Sequence, residues 1–204
     1  MFQDLTVSNV VTVIVCLLIS MTIHEFMHAY VGFKLGDDTA LEYGRVSFNP
    51  LRHIDPIMTI ALPAITLLLF HAPILAAKPV PFDPRRLKYD EYGAALLALA
   101  GPLSNLALAF AAALLLRFVD LGTFLDGAVT FFAELNVALF VFNMIPIPPL
   151  DGSRVLYAFA PEPLQDLMQR IEPIGFFIIF ALVLFGGAGG LLATLNNYVL
   201  GWLP

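Results

Sequence analysis

Long apolar runs dominate this 204-residue chain and restrict the folds open to it more than any other feature of the sequence. A helix needs about 20 apolar residues to cross a bilayer, and several runs reach that length. Only 13% of the residues are charged, whereas a soluble domain usually has about 25%. The sequence therefore predicts an all-α polytopic membrane protein with one membrane-embedded domain over residues 1–204. The apolar runs are Val7 to about Leu35, Pro56–Ala77, Tyr92–Phe118, Gly127–Ile147 and Ile174–Leu203.

About four transmembrane helices are expected, because two of the runs contain helix-breaking residues. The Pro56–Ala77 run contains Pro63 and Pro73, and glycines at 186–190 split the Ile174–Leu203 run. Irregular backbone at membrane depth is tolerated only where it is buried in protein or lines a cavity. Either of these two runs could therefore be re-entrant or broken instead of a straight span.

The segments outside the runs carry weaker signals. Gly44–Phe48 and Lys78–Asp83 have β-branched and aromatic residues between proline and glycine, which favours short strand-like cytoplasmic segments. The first run is not preceded by the basic residues of a cleavable signal peptide, since Met1–Ser8 carries only Asp4. We therefore expect the first run to remain in the mature protein.

The first run contains an H-E-x-x-H motif, His24-Glu25-Phe26-Met27-His28. Histidines four residues apart lie one turn above each other on a helix, so both imidazoles can reach one metal ion. Glu25 would then approach a metal-bound water from the side as a general base, which is the geometry of zinc-assisted peptide hydrolysis. The composition predicts ~0.002 chance occurrences of this pattern. Ionisable groups inside a membrane helix are costly unless they are paired, metal-bound or hydrated, so a metal site is favoured over a structural polar patch.

A third metal ligand must come from elsewhere in the chain, and Asp151 is the strongest candidate. It follows the proline-rich stretch Pro146–Pro149 at the end of the fourth run. Prolines prevent a regular helix there and free backbone groups that need a cavity to line. The alternative is that Asp151 only caps a helix beginning at Gly152. The H-E-x-x-H motif in the first run needs a third metal ligand, which favours the interpretation of Asp151 as that ligand.

These motifs together resemble the site-2 protease family of intramembrane zinc metalloproteases, peptidase family M50. The resemblance is greatest to its compact branch without a PDZ or CBS domain, and it covers about Thr22 to Arg154. The segments that carry it are H-E-x-x-H, Asn49–Pro56, Ala77–Pro81, Ala100–Asn105 and Phe142–Gly152.

The resemblance implies roles for six residues. His24, His28 and Asp151 would bind one Zn²⁺ per chain. Glu25 would be the catalytic base. Asn143 and Asn105 would hydrogen-bond the substrate backbone or the developing oxyanion. Asn105 could equally form a hydrogen bond between helices.

Zinc binding by His24, His28 and Asp151 constrains the topology, because the three side chains must lie at one depth. The first and fourth runs must then point the same way, so an odd number of crossings separates them. We therefore expect Pro56–Ala77 to be a re-entrant hairpin, with the N-terminus outside and the active site toward the cytoplasm. The positive-inside pattern agrees. Basic residues fall on one side, Lys34, Arg45, Arg52, Lys78, Arg85, Arg86, Lys88, Arg154 and Arg170, with Asp120 and Asp126 opposite.

The expected function is intramembrane zinc-dependent proteolysis in a bacterial or archaeal cell membrane. By resemblance, the partners are the lipid bilayer and membrane-protein substrates that cross it once. The net charge of −6 argues against nucleic acid as a partner. The alternatives are a catalytically silent membrane scaffold and a metal transporter. Binding of membrane proteins without cleavage would indicate the scaffold, and metal flux in liposomes would indicate the transporter. The sequence does not indicate an oligomeric state.

Overall fold

The computed structural model describes residues 6–55, 80–185 and 188–204. These ranges form helices and connecting turns, and no strand occurs within them. The helices are α1 (Val7–Lys34), α2 (Thr39–Glu42), α3 (Asp90–Phe118), α4 (Thr123–Asn143), α5 (Asp151–Phe159), α6 (Glu162–Phe185) and α7 (Ala188–Leu200). Short 3₁₀ turns lie at Pro50–Arg52 and Pro84–Arg86.

Three of these helices, α1, α3 and α4, are each long and apolar enough to cross a membrane. Leucine, alanine, valine and phenylalanine together fill most of the positions in these three helices. Such side chains suit contact with lipid, and a helix makes its backbone hydrogen bonds internally. The prediction of an all-α membrane protein is therefore confirmed for the part of the chain that the structure describes. The predicted total of about four spans is not established by these three helices.

Helix α1 buries one narrow face against α3. The buried residues Ser20, His24, His28 and Gly32 recur every four positions and so lie along one side of the helix. The opposing face of α3 is rich in glycine and alanine, and small residues let two helix backbones approach closely in a membrane. Polar side chains of α1 are thereby enclosed between helices.

Helix α7 packs on α3 and α4 through an apolar cluster. Ala109 and Val137 are fully buried in it, and Val141 and Val199 are nearly so. The Ile174–Leu203 run, for which the glycines at 186–190 left a straight, re-entrant or broken form open, comprises the end of α6 and the separate helix α7. Residues 186–187 between these helices lie outside the described residues.

The paired residues along the helices show the directions in which they run. His28 contacts Leu97 near the start of α3, and His24 contacts Asn105 about two turns later, so α1 and α3 are antiparallel. Ser20 of α1 is hydrogen-bonded to Asn136 of α4. Because His24 and His28 also meet Asp151 just beyond α4, α1 and α4 point the same way. The predicted parallel arrangement of these two helices is present.

The chain leaves α1 and returns to α3 at the same end of the helix bundle. The Lys88 N–H donates to the Leu35 carbonyl over 2.8 Å, and the Asp83 N–H donates to the buried Asp37 carboxylate over 2.8 Å. Residues 35–37, just after α1, and residues 83–88, just before α3, therefore lie side by side. The predicted re-entrant hairpin at Pro56–Ala77 falls on residues 56–79, outside the described ranges, and stays a prediction.

The prediction of a strand at Gly44–Phe48 is wrong. Its backbone forms turns, in which Arg45 N–H donates to the Ala40 carbonyl and Ser47 N–H donates to the Arg45 carbonyl. Phe48 stacks on Phe26 of α1 with 3.9 Å between ring centroids, so the aromatic residue that favoured a strand packs on a helix instead. In the Lys78–Asp83 segment, residues 80–83 form no strand, and Asp83 has extended backbone angles just before the 3₁₀ turn.

Candidate metal centre

His24, His28 and Asp151 meet at the end of α1, although more than 120 residues separate the histidines from the aspartate. The two imidazole Nε2 atoms lie 2.9 Å apart. Each of them is 3.3 Å from the same oxygen, Asp151 Oδ2. The histidines are buried, and 20% of the Asp151 side chain is exposed. The three residues therefore offer three ligand atoms around one point.

The spacing of these ligand atoms fits a tetrahedral zinc site. Ligand atoms about 2.0 Å from a tetrahedral ion lie about 3.3 Å from one another. The three distances between His24 Nε2, His28 Nε2 and Asp151 Oδ2 are 2.9, 3.3 and 3.3 Å. Two imidazoles and one carboxylate leave a fourth position for water, as catalytic zinc sites do. The donor set and the spacing thus both suit zinc.

The backbone around Asp151 leaves its carboxylate free to face the histidines. Asp151 is the first residue of α5, the N-cap is Leu150, and the cap makes no side-chain hydrogen bond. The alternative in which Asp151 only caps a helix is therefore not what the structure shows. Burial by itself raises the pKa of the Asp151 carboxyl, but the neighbouring imidazoles of His28 and His24 outweigh burial and hold this pKa below its usual range.

The second nitrogen of each imidazole is bonded to α3. His28 Nδ1 lies 2.8 Å from the Leu97 carbonyl oxygen, and His24 Nδ1 lies 2.6 Å from Asn105 Oδ1. Because a carbonyl oxygen can only accept, His28 Nδ1 must carry a proton, so the neutral imidazole that binds a metal has its lone pair on Nε2. Metal-binding histidines are usually held in this way.

A cavity of about 350 Å³ opens on the three ligands. Glu25 lines it and has 7% of its surface exposed, next to His24 on α1. Asn143, the last residue of α4, lines it as well, and its Nδ2 donates to the Leu139 carbonyl over 2.9 Å. The structure therefore places Glu25 and Asn143 beside the candidate metal position.

Asn105 has a different position from Asn143. It is fully buried, with Oδ1 against His24 and Nδ2 donating to Asn136 of α4. This arrangement favours the alternative in which Asn105 forms hydrogen bonds between helices. Its contact with substrate stays a prediction without structural support.

Four further residues line the cavity, none of which was assigned a role of its own from the sequence, although the loop from Lys78 to Asp90 was expected near the site. Val80 and Phe82 come from the segment before α3, and Arg154 and Glu172 come from α5 and α6. Arg154 Nη2 donates to Glu172 Oε1 over 3.1 Å, and its guanidinium lies 4.8 Å from the centroid of the Phe82 ring. Arg154 thus joins two walls of the cavity. The only sequence signal for Arg154 was that a basic residue stands shortly after Asp151, a candidate metal ligand.

Gly101 belongs to the Ala100–Asn105 segment that the resemblance includes, and it allows α3 to contact the metal ligands. A Cβ atom there would collide with His28 Nε2 and would lie 2.7 Å from His24 Cε1. Only a residue without a side chain fits this position.

We therefore expect Gly101→Ala to lower zinc affinity at least tenfold, because the added methyl group displaces both imidazoles by more than a ligand site tolerates. Zinc affinity can be measured by chelator competition in detergent. Gly189→Ala on α7 is the matched control, since a Cβ there meets no atom within 4 Å. Equal zinc affinity in the two variants would contradict the packing of Gly101 against the ligands.

Comparison with known proteins gives consistent matches. The model of "Peptidase family M50" matches residues 122–186. The chain is 39% identical over 196 residues to "Putative zinc metalloprotease YwhC" of Bacillus subtilis, covering 92% of this chain and 83% of that protein. It is 32% identical over 204 residues to "Putative zinc metalloprotease Rip2" of Mycobacterium tuberculosis, covering 95% and 73%. No solved structure gives a significant match.

Proposed function

The chain belongs to peptidase family M50, and from this membership we propose that it hydrolyses peptide bonds within or next to transmembrane segments of membrane proteins. It is a zinc metalloendopeptidase and an integral membrane protein. The observation that carries the proposal is the buried group of His24, His28 and Asp151, enclosed by helices long and apolar enough to cross a bilayer. A metal centre in that position is suited to substrates that lie in the membrane.

In this proposal His24, His28 and Asp151 bind one zinc ion per chain. Zinc held by three protein ligands polarises the scissile carbonyl and lowers the pKa of a bound water toward about 7. Among the described residues, these three form the one group of His, Cys, Asp or Glu that could hold a metal. A transport pathway would need further polar sites along the membrane, so this finding does not favour the metal transporter.

Glu25 acts as the general base. It follows His24 on α1 and lines the same cavity, from which its carboxylate takes a proton from the attacking water and passes it to the leaving amine. Burial within the helix bundle limits bulk water around the carboxylate, so the proton stays with the reacting groups.

Asn143 is proposed to bind the substrate backbone or the developing oxyanion. One N–H of its amide donates to the Leu139 carbonyl, and an amide group has a second N–H to donate. A donor beside the cavity stabilises negative charge on the carbonyl oxygen as the water adds.

Substrates are proposed to be proteins that cross the membrane once, in the cell membrane of a bacterium or archaeon. The active site is proposed to face the cytoplasm, since the bundle end that holds it also carries Lys34, Arg45, Lys88 and Arg154. Excess basic charge marks the cytoplasmic ends of membrane helices.

The test uses purified protein in liposomes with two single-span peptides, one with an unbroken leucine core and one with Asn-Gly at its centre. We expect zinc-loaded protein to cut the second peptide faster, because a broken helix exposes its peptide bonds more readily. Mass spectrometry of the fragments should place the cut within or next to the apolar core. Cleavage confined to the soluble ends of both peptides would contradict intramembrane proteolysis.

A further inference from the structure

A chain of buried polar groups leads from His24 away from the cavity and across three helices. Asn105 on α3, Asn136 on α4 and Ser20 on α1 are all fully buried. His24 Nδ1 lies 2.6 Å from Asn105 Oδ1, and Asn105 Nδ2 donates to Asn136 Oδ1 over 2.8 Å. The mechanism proposed above makes no use of Asn136 or Ser20.

Two backbone carbonyls terminate this chain at its far end. Asn136 Nδ2 donates to the Phe132 carbonyl over 2.8 Å and to Ser20 Oγ over 2.9 Å. Ser20 Oγ in turn donates to the Cys16 carbonyl over 2.8 Å. A carbonyl oxygen can only accept a hydrogen bond, so each of these carbonyls sets the direction of the bond that it receives.

The direction of every other hydrogen bond then follows. Ser20 gives its proton to the Cys16 carbonyl, so its oxygen accepts from Asn136. With its NH₂ group facing Phe132 and Ser20, Asn136 presents only its oxygen to Asn105. Asn105 must therefore turn its own NH₂ group toward Asn136 and its oxygen toward His24.

We propose that Asn105, Asn136 and Ser20 are positioning residues that hold His24 as the Nδ1–H tautomer, with the Nε2 lone pair directed at the zinc position. The inference rests on the proposed zinc site. A reversed amide would leave two oxygens facing each other in a buried place, where unsatisfied polar groups are costly. The orientation of the His24 ring is thereby fixed chiefly through Asn136, with a longer bond of 3.5 Å from Asn105 Nδ2 to the Ser20 carbonyl in the same direction.

The two histidines are consequently held by independent means. His28 is oriented by the Leu97 carbonyl, a backbone group that no substitution removes. His24 depends on side chains of α3 and α4. A defect in the relay should therefore affect His24 and leave His28 unchanged.

The test compares Asn136→Leu with Thr130→Val. Thr130 is also on α4, is exposed, and uses its hydroxyl to bond the Asp126 carbonyl, so its variant loses a similar local hydrogen bond outside the relay. We expect Asn136→Leu to lower zinc affinity about tenfold and Thr130→Val to leave it unchanged, because lost partners of metal-binding histidines cost about 10- to 100-fold. Zinc affinity is measured by chelator competition in detergent.

A second readout separates positioning from general loosening of the fold. In zinc-loaded protein labelled with ¹⁵N-histidine, Asn136→Leu should shift the ring nitrogen signals of His24 more than those of His28, whose Nδ1 keeps the Leu97 carbonyl. If Asn136→Leu does not fold, Asn105→Ala removes the acceptor of His24 and serves the same comparison. Zinc affinity within twofold of the Thr130→Val variant, or equal shifts at both histidines, would overturn the relay. Absence of zinc from the wild-type protein would instead overturn the proposed zinc site.

Discussion

Glu25→Gln should bind about one zinc ion per chain and lose about 10³-fold in the rate of peptide cleavage, since general acid–base groups contribute about 10²- to 10⁴-fold. Glutamine has nearly the shape of glutamate, and Glu25 is not one of the grouped ligand residues, so the metal centre should remain. An amide cannot take the proton of the attacking water. The effect should therefore appear in kcat, with zinc content unchanged.

The measurement combines zinc content by mass spectrometry with initial cleavage rates on the Asn-Gly peptide in liposomes. Glu162→Gln is the control for the loss of one carboxylate, because Glu162 is exposed in the first turn of α6. Cleavage at the wild-type rate by Glu25→Gln would exclude Glu25 as the base. Loss of zinc from Glu25→Gln would show that Glu25 helps to hold the metal.

Asp151→Ala should lose zinc on dialysis and reduce cleavage to the rate of a blank. Asp151 Oδ2 is 3.3 Å from both imidazoles and supplies the only anionic ligand of the group. Two neutral imidazoles alone leave the ion with half of a tetrahedral shell and no negative charge to balance it. His28→Ala should show the same loss, since it also removes one ligand of three.

Asp166→Ala is the control for Asp151→Ala, because Asp166 is an exposed carboxylate on α6. Helical circular dichroism and gel filtration of each variant test whether it has folded. One zinc ion per chain in folded Asp151→Ala would move the third ligand to another residue. Retention of zinc there together with full activity would contradict the metal centre as described.

The centre of the site could be predicted from sequence because its geometry is mostly local. The spacing of His24 and His28 places both imidazoles on one helix face whatever the rest of the chain does. Asp151 was predicted as a ligand because it follows a proline-rich stretch and because two histidines alone do not complete a metal site. The requirement that these three meet then predicted the parallel directions of α1 and α4, which the structure contains.

The surroundings of the site could not be predicted, because they depend on which helix faces meet. Asn136 lies in an apolar run, and nothing local shows that it bonds Asn105. Gly101 was recognised as part of a motif, but its contact with the imidazoles requires the crossing point of α1 and α3. Gly44–Phe48 was predicted as a strand from residue types, and packing of Phe48 on Phe26 prevails over that preference.

The hydrogen bonds that join Leu35 to Lys88 and Asp37 to Asp83 have a consequence for how the protein can change. They join the residues that follow α1, the helix that carries both histidines, to the residues that precede α3. Lengthening an insertion between fixed ends costs little, since each doubling of a flexible loop adds only about 0.6 kcal/mol. A change in the number of residues between Asp37 and Asp83 can therefore leave α1 and α3 aligned, and with them the histidines and their contact with Gly101.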